Sequence, residues 1–405
     1  MTPQQERDLV RDLARRYAEL AHSEEYERRR ARWRAVNGLR QPDRAPVWMR
    51  PAGVWSELLP DSDLQCSDPH LRGVERHLRM DLIHDDLGDD HVFEPWWDVP
   101  AAFDCDSEHL WGLPTQVLAE STDRGGWRYD PPLKTPEDFD RVTLPTFTYN
   151  EQRTNQALER ADDLLGDILP VRRTAGPRVH HILGAHVDQL RGLGEMMLDL
   201  YVQPQLIHRL MAKLLEGCLR ELRTLEGTGL LTPNNHGGMQ CNDPINGDPA
   251  PGEVRLHHLW GGSNSQEFDE VSPAQWEEFL LNYQKPLLQQ FGLTWYGCCE
   301  DLTQKIQGVL SIPNLRVFVC SAWTDLDQVI AAVGQRYCIM WRQSAAEVTL
   351  SSDLQKVEQH LDEGMRKLQG HYYQVVLREL QTLGGHPRRL HEWAKLAIAK
   401  AEAHA

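Results

Sequence analysis

Two adjacent thiols and a carboxylate, Cys298-Cys299-Glu300, close an apolar run (LTWYGC, 293–298) that reads as a β-strand. Thiolates and carboxylates are ligand types for zinc, which takes about four ligands and keeps one position open in a catalytic site. Side chains alternate along a strand, so one of the two cysteines is expected to face a substrate. Cys338, within YCIMW (337–341), offers a third thiol from another strand. Gln266 and Glu267 follow the run LHHLW (256–260), which places Glu267 to complete a metal site or to act as acid or base. Glu300 is a second carboxylate for such work. The competing reading of these residues is buried inert thiols and a helix-start carboxylate.

Histidines and tryptophans supply candidate binding groups. His180-His181 and His257-His258 each offer at most one inward ring on a strand, and His236 lies in the glycine-containing loop NNHGG. Lone histidines are more often structural than ligating. Tryptophan lines ligand pockets as readily as it fills cores, and the chain has 13, with Trp260, Trp323 and Trp341 near strand ends. The stretch from Asp89-Asp90-His91 to Glu94-Pro95-Trp96-Trp97-Asp98 is either a pocket wall for a methylated cation or a solvated loop with two core rings.

The elements that must position these residues are short apolar runs followed by helical patterns. Strands are expected near 45–49, 91–99, 179–183, 228–232, 256–260, 293–298, 316–320 and 337–341. Amphipathic helices are expected at 274–291 and 325–334, over the first forty residues with a Leu9-Leu13-Tyr17-Leu20 stripe, and through the tail at 353–403. About eight strand–helix units predict one (β/α)8 TIM-type barrel at 41–405, with a helical extension at 1–40 and C-terminal helices. The Pro/Gly/Asp-rich segment 242–253 is expected to be a long functional loop.

Composition narrows the function. A net charge of −17 repels phosphate backbones and anionic lipid, so neither nucleic acid nor membrane is an expected partner. No run approaches the roughly 20 apolar residues of a membrane span, and the N-terminal MTPQQERDLVRDLARRY has no apolar core of a signal peptide. A cytoplasmic location follows as an expectation. The eight cysteines form no CxxC framework and read as free thiols or ligands.

Several stretches resemble the uroporphyrinogen decarboxylase superfamily. Pro46–Gly53 (PVWMRPAG) is similar to its first strand and turn, where the resemblance implies that Arg50 grips a substrate carboxylate. SQEFDEVSP (265–273), FGLTWYGCCEDL (291–302), IPNLRVFVCSAW (312–323) and RYCIMWRQ (336–343) resemble the branch found with corrinoid-dependent methyl transfer. So does the helical pattern at 190–211. In that branch zinc sits on a His-x-Cys pattern at the equivalent strand end, which makes Cys298 the zinc cysteine and leaves Tyr296 where the histidine would be. The resemblance also raises Glu267 as an acidic ligand and Arg342 as an anion clamp. Val54 and Trp55 stand where true decarboxylases carry a second arginine and a tyrosine, which argues against a substrate with eight carboxylates.

The expected function is therefore methyl transfer from a small O- or N-methylated substrate to a corrinoid carried by a partner protein, because the chain has no DxHxxG motif of its own. Zinc on Cys298, Glu267 and Cys338 would polarise the leaving heteroatom while Co(I) attacks the methyl carbon. Glu267, Cys298 and Glu300 are the catalytic candidates. Arg50, His181, His236, Trp260, Gln266, Trp323, Trp341 and Arg342 are the substrate-binding ones, and a homodimer is the assembly considered. The alternatives are a metal-free decarboxylase or lyase acting on a small carboxylic acid, and a ligand-binding barrel without chemistry.

Overall fold

The computed structural model describes residues 1–119, 127–179, 181–351 and 353–405, so the candidate His180 lies outside the described residues. Helix Pro3–Ala21 begins with a reciprocal cap: Thr2 Oγ1 accepts from the Gln5 amide (3.2 Å), and the Gln5 side chain accepts from the Thr2 amide (2.8 Å). Its buried stripe is Val10, Ala14, Tyr17 and Ala21, one step round from the expected leucines. Alanines there let helix Pro69–Asp86 approach closely. The expected single N-terminal helix is two, because Ser23 caps a second helix, Glu24–Asn37.

The strands, in chain order, are β1 (Val47–Met49), β2 (Trp97–Pro100), β3 (Phe103–Cys105), β4 (Gln116–Ala119), β5 (Trp127–Asp130) and β6 (Phe147–Tyr149). They continue with β7 (Val171–Thr174), β8 (Trp260–Ser263), β9 (Leu293–Tyr296), β10 (Leu315–Cys320), β11 (Cys338–Gln343) and β12 (Tyr372–Leu377). Six form one parallel sheet in the order β1-β12-β11-β10-β9-β8. β2 and β7 form a separate parallel pair, and β3–β6 and β4–β5 are antiparallel pairs.

Among the described residues, neither seam between the six-stranded sheet and the β2–β7 pair carries a strand ladder. Beside β1, Asp89 accepts from the Met49 amide (2.7 Å), Asp90 accepts from the Val47 amide (2.8 Å), and the Asp90 amide donates to the Val47 carbonyl (2.7 Å). Asp90 is itself held by Arg32 at 2.5 Å and Arg44 at 2.6 Å. Beside β7, the Thr232 amide donates to the Ala175 carbonyl (3.0 Å), while Asn234 accepts from the Trp260 amide (2.7 Å) and donates to its carbonyl (2.9 Å). These contacts satisfy edge groups that a neighbouring strand would otherwise pair. The fold is thus α/β with a parallel six-stranded sheet, and a ring of eight mutually paired strands is not present among the described residues.

Two expected strands are absent as such, and most of a third, 256–260, is a 3-10 turn (Leu256–His258) with β8 beginning at its last residue, Trp260. Of 179–183, which spans His180 outside the described residues, Leu183 already opens helix Leu183–Arg191, and 228–232 is the extended segment whose Thr232 pairs with Ala175. Six others were not expected: the antiparallel pairs β3–β6 and β4–β5, β7, whose VRRT is half arginine, and β12 (YYQVVL), which interrupts the tail between helices Gln355–Leu368 and Arg389–Ala403. The tail is therefore not a helical run.

Alternation divides the sheet cleanly. Val317, Val319, Cys338, Met340 and Val376 share one buried cluster with Trp33, Val36 and Cys241, which is the inward face. Phe318, Ile339, Trp341, Val375 and Leu377 share the other, against the outer helices. The second N-terminal helix closes the lower end, where Asn37 donates to the Met239 and Cys241 carbonyls and its own carbonyl accepts from Arg316.

Candidate active site

The inward register ends in cations on three neighbouring strands. Trp48 faces inward on β1, Met340 on β11 and Val376 on β12, so the next inward positions are Arg50, Arg342 and Arg378. Arg50 is fixed at the end of β1 by its amide N–H, which donates to the Leu377 carbonyl (2.8 Å), and is exposed. Arg342 is fully buried. Its Nη1 donates to the Cys298 carbonyl (2.7 Å) and to Glu379 Oε1 (2.8 Å) and lies 3.9 Å from Cys298 Sγ. Arg378 is pushed down to about 10, first by burial and then by the like charges of Arg342 and Arg50. Three cations converging at one end of the sheet make an anion site.

The thiols meet that cluster. Gly297, with φ of +116°, turns the chain off β9, and a Cβ there would stand 2.9 Å from the Val319 Cβ, so glycine is required. The turn breaks strand alternation, and both thiols point the same way instead of one facing inward. Cys298 Sγ lies 3.5 Å from Cys299 Sγ, and Cys299 Sγ lies 3.4 Å from Glu379 Oε1. The three ligand atoms lie within 4.8 Å of one another. The hydrogen bond from Cys299, then Arg342 and Arg378, pull the Cys298 thiol down towards thiolate, and the same bond pushes the Cys299 thiol up. Glu379 holds its place in a left-handed backbone conformation, φ 61°, which a non-glycine residue adopts at a cost.

Tetrahedral zinc with bonds of about 2.3 Å to sulfur and 2.0–2.2 Å to oxygen needs ligand spacings of roughly 3.5–3.8 Å. The observed 3.5 and 3.4 Å are near those values. A zinc held by two thiolates and a carboxylate would carry net negative charge that Arg342 offsets, and a fourth position would remain for substrate. The donor set fits the ion. It is not the set expected from the sequence.

Glu300 braces the site from behind. It is buried, accepts from the Ser265 amide (2.7 Å) and the Cys298 amide (2.8 Å), and so ties the turn after β8 to the turn after β9. Burial raises its carboxyl. It acts as a positioning residue. Tyr296 points outward, donating to Gln284 Oε1 (2.8 Å) and accepting from Trp276 Nε1 (3.3 Å). Gln284 in turn donates to Ser263 Oγ and the Asn264 carbonyl. Trp276 and Gln284 flank a π-helical stretch, Glu277–Leu281, whose widened turn lets both reach the sheet.

Glu267 and Cys338 stand apart from the thiol cluster. Glu267 sits in the turn Gln266–Phe268, with Oε2 buried, without a hydrogen-bond partner, and close against Gly184. Burial, then Asp188, Glu300 and Cys298, raise it to about 7. Cys338 begins β11, four residues and so about 13 Å below Arg342, and is fully buried among apolar side chains. Distance and burial remove it from the ligand set.

The remaining candidates scatter. Gln266 is exposed beside Glu267, and Trp323 is 72% exposed just past β10. Trp341 faces outward, edge-on to His360 (5.5 Å), and is a core residue rather than a substrate contact. Trp260 is buried at the start of β8, the opposite end from Ser265. The ring of His181 packs on Phe291 (5.0 Å) while its carbonyl accepts from Ser263 Oγ. His236 lines a cavity beside Trp96. Arg378 and Glu379 were not foreseen. The aromatic and β-branched run YYQVVL was the available signal.

No protein-family profile matches the chain, and no curated protein matches it. Among solved structures it is similar to a methyltransferase from Methanosarcina mazei, with a TM-score of 0.52 and 12% identity, over 93% of this chain and 98% of that one. At that identity the likeness is one of fold.

Proposed function

We propose that the chain is a zinc-assisted methyltransferase that moves a methyl group from a small O- or N-methylated substrate to a corrinoid carried by a partner protein. The six-stranded sheet and the β2–β7 pair are read together as a (β/α)8 barrel of the uroporphyrinogen decarboxylase type, opened at two seams. One observation carries the reading: Cys298 Sγ, Cys299 Sγ and a Glu379 oxygen converge at the C-terminal ends of the strands, where barrel enzymes keep their chemistry. The similar fold of a solved methyltransferase supports the coarser part of the reading, methyl transfer.

Zinc, when bound by Cys298, Cys299 and Glu379, supplies Lewis-acid assistance to departure of the heteroatom. Arg342 holds Glu379 and the Cys298 turn in place. Arg50 and Arg378 face an anionic substituent of the substrate. Glu267 keeps its proton near neutrality and releases it to the leaving group. Exposed Trp323 offers an apolar surface to the corrinoid partner. The arginine triad also favours a second reading, decarboxylation of a small carboxylic acid without metal.

Elemental analysis separates the two. Purified protein is expected to carry zinc near one equivalent. Cys298→Ser should lose it together with transfer to Co(I) corrinoid, followed by the cobalt absorbance, whereas Cys338→Ala should keep both. Zinc retained in Cys298→Ser, or metal-free protein releasing carbon dioxide from a carboxylic acid, overturns the methyltransferase reading.

A further inference from the structure

A cavity of about 680 Å³ opens between helix Pro69–Asp86, the start of β2 and the turn at His236–Gly237. Tyr17, Phe93, Trp96 and Trp97 form its aromatic walls. Asp81, Glu94 and Asp98 supply its charges, and no lysine or arginine lines it among the described residues. None of these residues belongs to the Cys298 cluster. The volume lies within the range of small-ligand sites.

The three carboxylates differ in how well they are paired. Asp81 is engaged by His91 at 3.3 Å and His77 at 3.5 Å. Glu94 accepts from the Gly237 backbone and its nearest cation, Arg30, is 3.8 Å away, beyond hydrogen-bond reach; Asp98 accepts from Trp96 and has no direct ion pair among the described residues. Burial raises the Glu94 and Asp98 carboxyls from their ordinary values. His236 brings no countercharge, since burial pushes it down to about 4. His70 Nε2 is buried without a partner. The walls thus offer acceptors and aromatic faces, and the only charges among the described lining residues are acidic.

A part-buried carboxylate without a full ion pair, Glu94, beside the more exposed Asp98, favours a counter-ion, and aromatic faces attract cations within about 6 Å. Arg172 already shows this beside the cavity, its guanidinium 4.1 Å from the Trp96 ring centre and its charge felt by Asp98 and His236. A compact metal ion is a poor fit, because the described groups that converge to ligand spacing are Cys298, Cys299 and Glu379, none of which is here. We infer that this cavity binds an organic ammonium ion, its charge set against Glu94 and Asp98 and its alkyl groups against Trp97, Phe93 and Tyr17. The inference does not depend on the methyl-transfer reading.

Choline and its uncharged isostere 3,3-dimethylbutan-1-ol test it, titrated into the full chain and followed by calorimetry and tryptophan fluorescence. Choline is expected to saturate one site and to bind at least about tenfold more tightly than the alcohol. Glu94→Gln with Asp98→Asn should weaken choline by at least about tenfold. Trp97→Leu, which leaves both carboxylates intact, should weaken it severalfold and serves if the double variant does not fold. Cys298→Ser should bind choline like the parent, whatever its zinc content. Equal affinity for choline and the alcohol, no saturation by choline, or unchanged binding in a folded carboxylate or Trp97 variant overturns the inference.

Discussion

Replacing Glu267 by glutamine is expected to stabilise the protein at pH 8 and to change it little at pH 5. In the folded chain, burial above all raises this carboxyl from 4.5 to about 7. The unfolded chain ionises it near 4.5, so between the two values folding holds a proton that the unfolded state has released. Its contribution is fully present below pH 4.5, declines as pH rises through 7, and is gone above that. At about 1.4 kcal/mol per pH unit, the span from 4.5 to about 7 amounts to roughly 3 kcal/mol. Glutamine carries no charge in either state, so the variant should gain roughly 3 kcal/mol over the parent at pH 8 and under about 1 at pH 5. For a chain of this length that is about 3–4 °C in melting temperature. Scanning calorimetry at the two pH values measures it. Glu221, also raised to about 7 by burial, contributes equally to both proteins and cancels from the comparison. The same offset at both pH values, or a glutamine variant less stable at pH 8, refutes the claim that a charge is being forced into that turn.

Asp90→Asn should cost about 3–5 kcal/mol, because it leaves two buried guanidinium groups and the Val47 amide without their shared carboxylate; a urea midpoint shift worth less than about 1 kcal/mol contradicts this. Tyr296→Phe should cost about 1–3 kcal/mol by unpairing Gln284 and Trp276 while leaving zinc content unchanged, and loss of metal in that variant means the hydroxyl serves the site directly.

Strand ends were the most legible part of the sequence. Arg50, Cys298 and Arg342 each close an apolar run, and a parallel sheet brings such positions to one end. Alternation along CIMWRQ would also have put Cys338 and Arg342 on one face and Trp341 on the other, and spacing would have separated Cys338 from the mouth. Glu379 was hidden for a different reason. The residues RELQ after YYQVVL read as helix, and the left-handed turn that aims Glu379 at the thiols has no glycine to announce it. Cys299 was discounted by an alternation rule that Gly297 suspends. The seams escaped notice because aspartates satisfying strand-edge amides carry no periodic pattern.

The pairing of β1 with β12 sets Val47 against Val375. On the ribosome the first strand of the sheet is thus made long before its neighbour. At about 5–20 residues per second, the wait is roughly 15–65 s. Throughout it the edge of β1 that β12 will cover is an open template for other chains. Chains released before residue 377 should therefore aggregate rather than fold partially, and chaperone demand should fall on the nascent N-terminal third. The arginine triad, assembled from both ends of the chain, is among the last features to form.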